Sequence, residues 1–460
     1  MLKSIFGRKG LFLLLTLIFA FSSLVACNSS SEGKGGTTQD TSAGAKGSTV
    51  NSATANQTSA TSQAEAVEPV TIQYWHSHGD TQVEGLNYML EEFKKAYPHI
   101  TVEAVFQGGY GDLEKKLIAS LAAGNLPTVT VLESASIPHF AESGILAEIE
   151  PFIQRDQVDL DDFSKGMLRA YSYNGKQVGL PLVVSASVFI YNKAMLDEAG
   201  VKPPETWAEV PAFAEALTIK EGNTTTRHAF AIPGWSAWYY DPWIINGGGQ
   251  IIDENGQSGL NQEGTKKFLK NFQTWKENGW LLLPYGKGAS GEMKQLFLDQ
   301  KVAMVEHTSA NIDWYIENAG FEIGVSFLPA DMNRETHIGG AGIVIMNDIP
   351  DAEKEAAWQF VNFMTSAEHN IAFTDFTGYL PTRKSALASE AGQRFLTEKP
   401  QYKAILDWFD NVNPRIQHPA YGEFRKLYEE VVGKISLEGG DVDQLMEQAA
   451  KQMNEILEDY

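Results

Sequence analysis

Between Val70 and Glu133 the chain alternates between two hydrophobic periods, and that alternation limits what it can build. Val70-Thr71-Ile72-Gln73-Tyr74-Trp75 has the two-residue period of a strand. His76 to Thr81 is a polar turn able to cap a helix. Val83, Leu86, Leu90, Phe93 and Tyr97 then recur at helical spacing until Pro98 stops the run. Ile100 to Phe106 alternates again, Leu113, Leu117 and Leu121 mark a second helix ended by Gly124, and Thr128 to Glu133 reads as a third strand. This order predicts parallel strands joined by crossover helices, an α/β fold. Open α/β sheets hold ligands at the carboxyl ends of their strands. The segments so placed are Trp75 to Gly79, Gln107 to Tyr110 and Glu133 to Ser136.

The theme continues downstream. Gln177 to Tyr191 is a long extended stretch that reads as a crossing between lobes. Met195 to Gly200, Trp207 to Thr218, Thr265 to Asn278, Glu292 to Gln300 and Asp351 to Ser366 are expected as helices. Ala229 to Pro233, Ala303 to Glu306 and the Gly-rich Ile338 to Met346 are expected as strands, and the tail from Pro400 is mostly helical.

Composition narrows the function. With 460 residues, 43% of them hydrophobic, the chain has material for two or three core units, which excludes a wholly disordered protein. A net charge of −22 makes it a poor partner for nucleic acid or an anionic bilayer surface. The one cysteine, Cys27, excludes an internal disulfide framework, a zinc ribbon and a C-x-x-C redox site.

That cysteine closes a targeting segment. Lys3, Arg8 and Lys9 precede an apolar run from Leu11 to Phe21, too short for a confident bilayer span. Leu24-Val25-Ala26-Cys27 follows and resembles a bacterial lipobox, which implies a signal peptide over 1–26 and a lipid, such as palmitate, on Cys27. The competing reading is an ordinary secretory signal with an incidental cysteine. Residues 28–66 are almost entirely Ser, Thr, Gly, Ala, Asn and Gln, with nothing to offset the entropy of ordering. Residues 27–67 therefore read as a lipidated tether with a reach of about 35 Å.

Several residues carry candidate binding chemistry. Trp235-Ser236-Ala237-Trp238-Tyr239-Tyr240-Asp241-Pro242-Trp243 is dense in aromatics, and its Pro and Asp favour a partly exposed loop whose rings stack on a ligand; satellite-core packing is the alternative. Glu133 can accept bonds from two hydroxyls, or can be a solvated or capping acid. Tyr110 sits in a glycine-flanked loop. Gly339-Gly340-Ala341-Gly342 offers backbone N–H groups to an anion, or forms a hinge or a close-packed strand. Arg425 is either a phosphate fork or a surface ion pair. His76 and His78 lack a third ligand for a metal. No Gly-x-Ser-x-Gly elbow, His-Glu-x-x-His helix or phosphate loop is present, and acid pairs such as Asp161-Asp162 are too generic for glycosidase chemistry.

From Pro69 to the end, the chain resembles the family-one extracellular solute-binding proteins of ABC importers. The resemblance is carried by Leu121-Ala122-Ala123-Gly124-Asn125-Leu126-Pro127-Thr128-Val129, by Tyr173-Asn174-Gly175-Lys176-Gln177-Val178-Gly179-Leu180-Pro181 with Tyr191-Asn192-Lys193 after it, by Pro204-Glu205-Thr206-Trp207, by Gly339 to Gly342, and by Thr377-Gly378-Tyr379-Leu380-Pro381. Tyr74-Trp75-His76-Ser77 and Ser236-Ala237-Trp238 are most similar to its glycerol-3-phosphate branch. The resemblance implies a two-lobed Venus-flytrap fold, class II-like, with lobe one over 68–182 plus 304–346 and lobe two over 183–303 plus 347–460. It implies ligand contacts at Tyr110, Glu133, Ser185, Trp235, Trp238, Thr308, Gly340, Tyr379 and Arg425. Thr308 stands where the branch has serine, and the sequence around Arg425 departs from it. The expected ligand is a polyol phosphate such as glycerol 3-phosphate or a glycerophosphodiester; a neutral mono- or oligosaccharide is the alternative, and a surface glycosidase a third reading. The expected partner is an ABC permease, met by a monomer held by its lipid on the extracytoplasmic face of the cell membrane, without a cofactor and without covalent chemistry.

Overall fold

The computed structural model describes residues 68–79 and 82–460. The expected signal segment, Cys27 and most of the tether lie outside those residues. The alternating segments form β1 (Val70–His76), α1 (Gln82–Ala96), β2 (Ile100–Phe106), α2 (Tyr110–Ala123) and β3 (Val129–Leu132). Both strand pairings are parallel, with Tyr74 opposite Ala104 in β2 and Val129 in β3. Gly124 ends α2 in the left-handed conformation, φ 69°, and its N–H returns to the carbonyls of Leu121 and Ser120.

The long extended stretch is one strand, β4 (Gly179–Asn192), buried along nearly its whole length. The elements that follow include β5 (Thr224–Ala231), α3 (Ala237–Asn246), α4 (Glu263–Glu277), α5 (Ala289–Leu298), β6 (Val302–Thr308), β7 (Ile323–Ser326) and β8 (Thr336–Ile345). Four long helices complete the chain: α6 (Asp351–Met364), α7 (Ala367–Thr377), α8 (Tyr421–Leu437) and α9 (Val442–Leu457). One sheet path runs β2-β1-β3-β8-β4-β6-β5.

β4 is where the two halves join. Its first part, Gly179 to Ala186, pairs antiparallel with β8. Its second part, Ser187 to Tyr191, pairs with β6, and Phe189 to Asn192 pair with β7. The partners change between Ala186 and Ser187, and beyond that point the two faces of the strand serve different cores, Val188 and Ile190 the first and Phe189 the second. The second core is aromatic, built on Trp207, Phe230, Trp243, Phe268, Phe272 and Trp275.

The expected division of the chain needs correcting at its carboxyl end. Residues 347–460 were expected in one lobe, but α6 and α7 pack on the first half. The ring of Phe360 on α6 meets Tyr74 at 5.2 Å and Phe93 at 5.1 Å, both edge-on. Trp358, Phe360 and Val361 are fully buried there. The outer face of β1 and α1 is apolar and needs a cover, and α6 is the helix whose apolar stripe fits it. Only α8 and α9 return to the second core, through Phe424, Tyr428, Met446 and Met453. Val183, Val184 and Ala186, expected in lobe two, also belong to the first core. Among the described residues no helix is long and apolar enough to cross a membrane.

Candidate functional site

The seam between the halves is closed by glycine. On β8, Gly339 stands opposite Ser185 and Gly340 opposite Val184. A Cβ on Gly339 would lie 2.7 Å from both Ser185 Oγ and Trp238 Cζ2; one on Gly340 would lie 1.9 Å from the Val183 carbonyl oxygen and 3.0 Å from the Tyr379 ring. Gly340 also has a φ of 79°, which favours glycine. The glycine run is therefore a close-packed strand, and its tightness lets rings from both sides touch the backbone.

Trp238 arrives from the second half. Its indole N–H donates to the carbonyls of His337 at 3.2 Å and Ile338 at 3.1 Å, and the residue is only 9% exposed. The expected loop around it is a helix, α3, buried at every position but Ile245. Ser236 caps that helix by accepting the Trp238 N–H at 3.4 Å. The helix is apolar on all sides, so no 3.6-residue alternation marks it in the sequence. Trp235, just before the cap, is half-buried and meets Tyr239 edge-on at 5.6 Å.

From the first half come Tyr379, Tyr110 and Glu133. Tyr379 is 8% exposed, and Gln82 Nε2 donates to its hydroxyl at 3.5 Å. Tyr110 opens α2 rather than lying in the expected loop. Burial first, then Tyr379 and Glu133, push its phenol pKa well up. Glu133 follows β3 and begins a single 3-10 turn, Ser134–Ser136. The structure thus brings Ser185, Trp238, Gly340 and Tyr379 together, with Tyr110 and Glu133 beside them.

Two hollows open next to this seam. One of about 200 Å³ is lined by Glu114, Glu133, Arg415, Arg425 and Tyr460, among others. The other, about 800 Å³, is lined by Gln82, Lys294, Thr308, Trp314 and Tyr379, among others. Thr308 ends β6, and its hydroxyl accepts the Ala310 N–H at 3.4 Å. Arg425 reaches the smaller hollow but is paired along its own helix with Glu429, Nη1 to Oε1 at 2.9 Å, and that carboxylate also accepts the Ala237 N–H at 2.7 Å.

The cation that sequence reading missed is Arg415, 6% exposed. Its Nη2 donates to the Tyr421 hydroxyl at 2.5 Å, its Nη1 stands 3.7 Å from Glu133 Oε1, and its Nε stands 3.9 Å from Asp241 Oδ2. Asp241 is fully buried and accepts from Tyr421 at 2.6 Å and Tyr428 at 2.7 Å. His337 Nδ1 lies 3.8 Å from Asp241 Oδ2. Burial works against both charges. His337, Arg415 and Tyr421 nevertheless hold the Asp241 pKa below the usual carboxylate range, and Tyr421, Glu133 and Asp241 carry that of Arg415 above its ordinary value. Arg415 follows a two-residue strand, Val412–Asn413, in a stretch without periodicity, so nothing local announced it. Asp241 was visible only as a polar residue among aromatics.

His76 and His78 stack on each other at 5.3 Å, and His78 Nε2 is spent on the Tyr74 hydroxyl at 2.9 Å. Burial first lowers their pKa values to about 4 and about 3. Among the described residues no three His, Cys, Asp or Glu side chains are grouped to hold a metal ion.

Two α/β halves sharing a strand, with aromatic rings, hydroxyls and a carboxylate at their seam, form the two-lobed fold of periplasmic-type binding proteins. The chain belongs to the bacterial extracellular solute-binding protein family, which matches residues 88–404. It is similar to the sn-glycerol-3-phosphate-binding periplasmic protein UgpB of Pectobacterium atrosepticum, with 24% identity over 360 residues, 72% of this chain and 77% of that protein. The fold is that of UgpB from Mycobacterium tuberculosis in complex with glycerophosphocholine, with TM-score 0.74 and 23% identity over 86% of this chain and 99% of that one. It is equally that of the sugar-binding protein MalE from Xanthomonas citri, with TM-score 0.75 and 20% identity over 85% of this chain and 98% of that one. The chain is thus an extracytoplasmic solute-binding receptor of the ABC-importer type.

Proposed function

We propose that this receptor captures a polyol phosphate, such as glycerol 3-phosphate or a glycerophosphodiester, between its halves and releases it unaltered to a membrane permease. The observation that carries the reading is the gathering of Tyr379, Trp238, Ser185 and Gly340 at one seam, with Tyr110 and Glu133 alongside. Aromatic faces there stack on the apolar C–H faces of a polyol, and carboxylate and hydroxyl groups read its hydroxyls. Carboxylates line both hollows beside their cations, and the cation that favours an anionic ligand over a neutral one is Lys294, which pairs with no carboxylate among the described residues. The name carried by the Pectobacterium relative points the same way. Hinge closure along β4 would enclose the solute.

A second reading, a receptor for a neutral sugar, is favoured by one observation: both arginines already face acids, Arg415 beside Glu133 and Asp241, Arg425 on Glu429. Calorimetric titration of the receptor domain with glycerol 3-phosphate and then with maltose separates the two. Heat from the first supports the proposal, and heat from maltose alone replaces it. The lipid on Cys27, with a monomeric body tethered to the extracytoplasmic face and no catalytic turnover, belongs to the same proposal. Mass spectrometry of the mature amino terminus would show a diacylglyceryl thioether on Cys27, and Cys27→Ala would release the protein from the membrane fraction.

A further inference from the structure

The two arginines near the seam are compensated, but a third cation is not. Lys294, on α5, lines the larger hollow of about 800 Å³ together with Thr308 and Tyr379. Its Nζ donates to Asn311 Oδ1 at 2.6 Å and stands 4.2 Å from the centre of the Trp314 ring. Neither partner carries a charge. Among the described residues no carboxylate lies within 4.0 Å of this ammonium, whereas Asp313 and Asp375, which line the same hollow, are both held by Lys399 at 3.0 Å and 3.2 Å. His307, whose ring is buried nearby, is neutral: burial first, then the Lys294 charge, lowers its pKa to about 3. Burial also lowers the pKa of Lys294 itself, as expected for a cation lacking an anionic neighbour.

An ammonium has three donors. Asn311 takes one, and the indole face fixes the head group without neutralising it. Glu317 and Glu398 also line this hollow, but the Lys294 ammonium is half-buried on two neutral supports beside residues of the candidate site and pairs with no carboxylate among the described residues, so its free donors face an incoming anion directly. We infer that Lys294 is the group that takes the anionic end of the solute, its phosphate, with Asn311 and Trp314 as positioning residues that aim it. The inference rests on the anionic-ligand reading and deepens it: the charge is read on the Thr308 and Tyr379 side of the seam, while Arg415 serves chiefly to hold Glu133 and Asp241 in place.

The test titrates glycerol 3-phosphate, glycerol and inorganic phosphate into wild type, Lys294→Gln and Lys287→Gln, a change at an exposed lysine outside both hollows. The expected result is binding of glycerol 3-phosphate by wild type, at least a tenfold loss in Lys294→Gln, and less than a twofold loss in Lys287→Gln, with unliganded melting temperatures unchanged. A wild type that binds while Lys294→Gln binds equally well overturns this inference and leaves the polyol phosphate reading standing. A wild type that binds neither glycerol 3-phosphate nor inorganic phosphate overturns both. Ligand footprinting gives an independent readout on the unmodified chain, even where the variant does not fold. Glycerol 3-phosphate should protect Lys294 from acetylation while exposed Lys287 stays reactive, and equal modification of Lys294 with and without ligand refutes the assignment.

Discussion

Glu306 offers the sharpest test of the physical reading. It lies on β6 opposite Phe189 of β4, whose ring belongs to the second core. It is fully buried, with the Ser187 hydroxyl 2.6 Å from Oε1 and the Trp243 indole N–H donating to Oε2 at 2.9 Å. Burial raises its pKa from the ordinary 4.5 to about 8. The sign follows from linkage. In the unfolded chain the carboxyl ionises above pH 4.5, while in the folded protein it keeps its proton until about pH 8, so unfolding releases a proton throughout that window. Stability is therefore lost as pH rises from 4.5, at roughly 1.4 kcal/mol per pH unit, and levels off above about 8. Between pH 5 and pH 7 the loss is about 2–3 kcal/mol. Glu306→Gln removes the titration and keeps both contacts, since the amide oxygen accepts the Trp243 N–H and the amide N–H turns the Ser187 hydroxyl from donor to acceptor. Urea unfolding of wild type and variant at pH 5, 6, 7 and 8 measures the difference, in which all other titrations cancel. The variant's advantage should grow by about 2–3 kcal/mol from pH 5 to pH 7 and then flatten near 8. A difference independent of pH would refute the buried, protonated carboxyl.

Three further outcomes follow from the geometry. Gly340→Ala places a Cβ 1.9 Å from the Val183 carbonyl oxygen at a φ of 79°, so thermal unfolding should show a loss of at least about 2 kcal/mol; an unchanged melting temperature would contradict the close-packed seam. Arg415→Met leaves Asp241 buried with the Tyr421 and Tyr428 hydroxyls and His337 but without its guanidinium, so stability in urea should fall by about 3–5 kcal/mol, and a loss under 1 kcal/mol would mean that the ion cluster is not cooperative. Trp238→Ala opens the seam at Gly339 and should abolish solute binding in calorimetry while the far-ultraviolet circular dichroism is retained.

The sequence exposed the parts of the fold that follow a period. From Val70 to Ala123 the two- and 3.6-residue alternations mark each strand and helix, because each presents one face to a core; β3, buried at all four positions, shows only as a short run before Glu133. Period fails where both faces are buried. The helix Ala237–Asn246 shows no alternation for that reason, and its Pro and Asp misread as loop signals: Pro242 sits within the helix, and Asp241 is held by Tyr421 and Tyr428 from 180 and 187 residues away. The return of residues 351–377 to the first half was equally hidden, since a helix stripe tells that a face is apolar but not which core it covers. In the candidate site, Gly340, Ser185 and Tyr379 came through family likeness. Arg415 and Lys294 had no local signature, because what singles them out is the set of charges around them, and that set is assembled only on folding.

The single strand that serves both cores has a consequence for how the molecule fails. Removing either half would strip β4 of its partners on one side and leave a row of unpaired N–H and C=O groups on a long, apolar ribbon, the kind of edge that recruits another chain. Neither half is therefore an independent module. Partial melting of one would convert the other into a template for exchange between molecules, so loss of this receptor under stress should run through intertwined dimers and aggregates rather than through a soluble half-folded form.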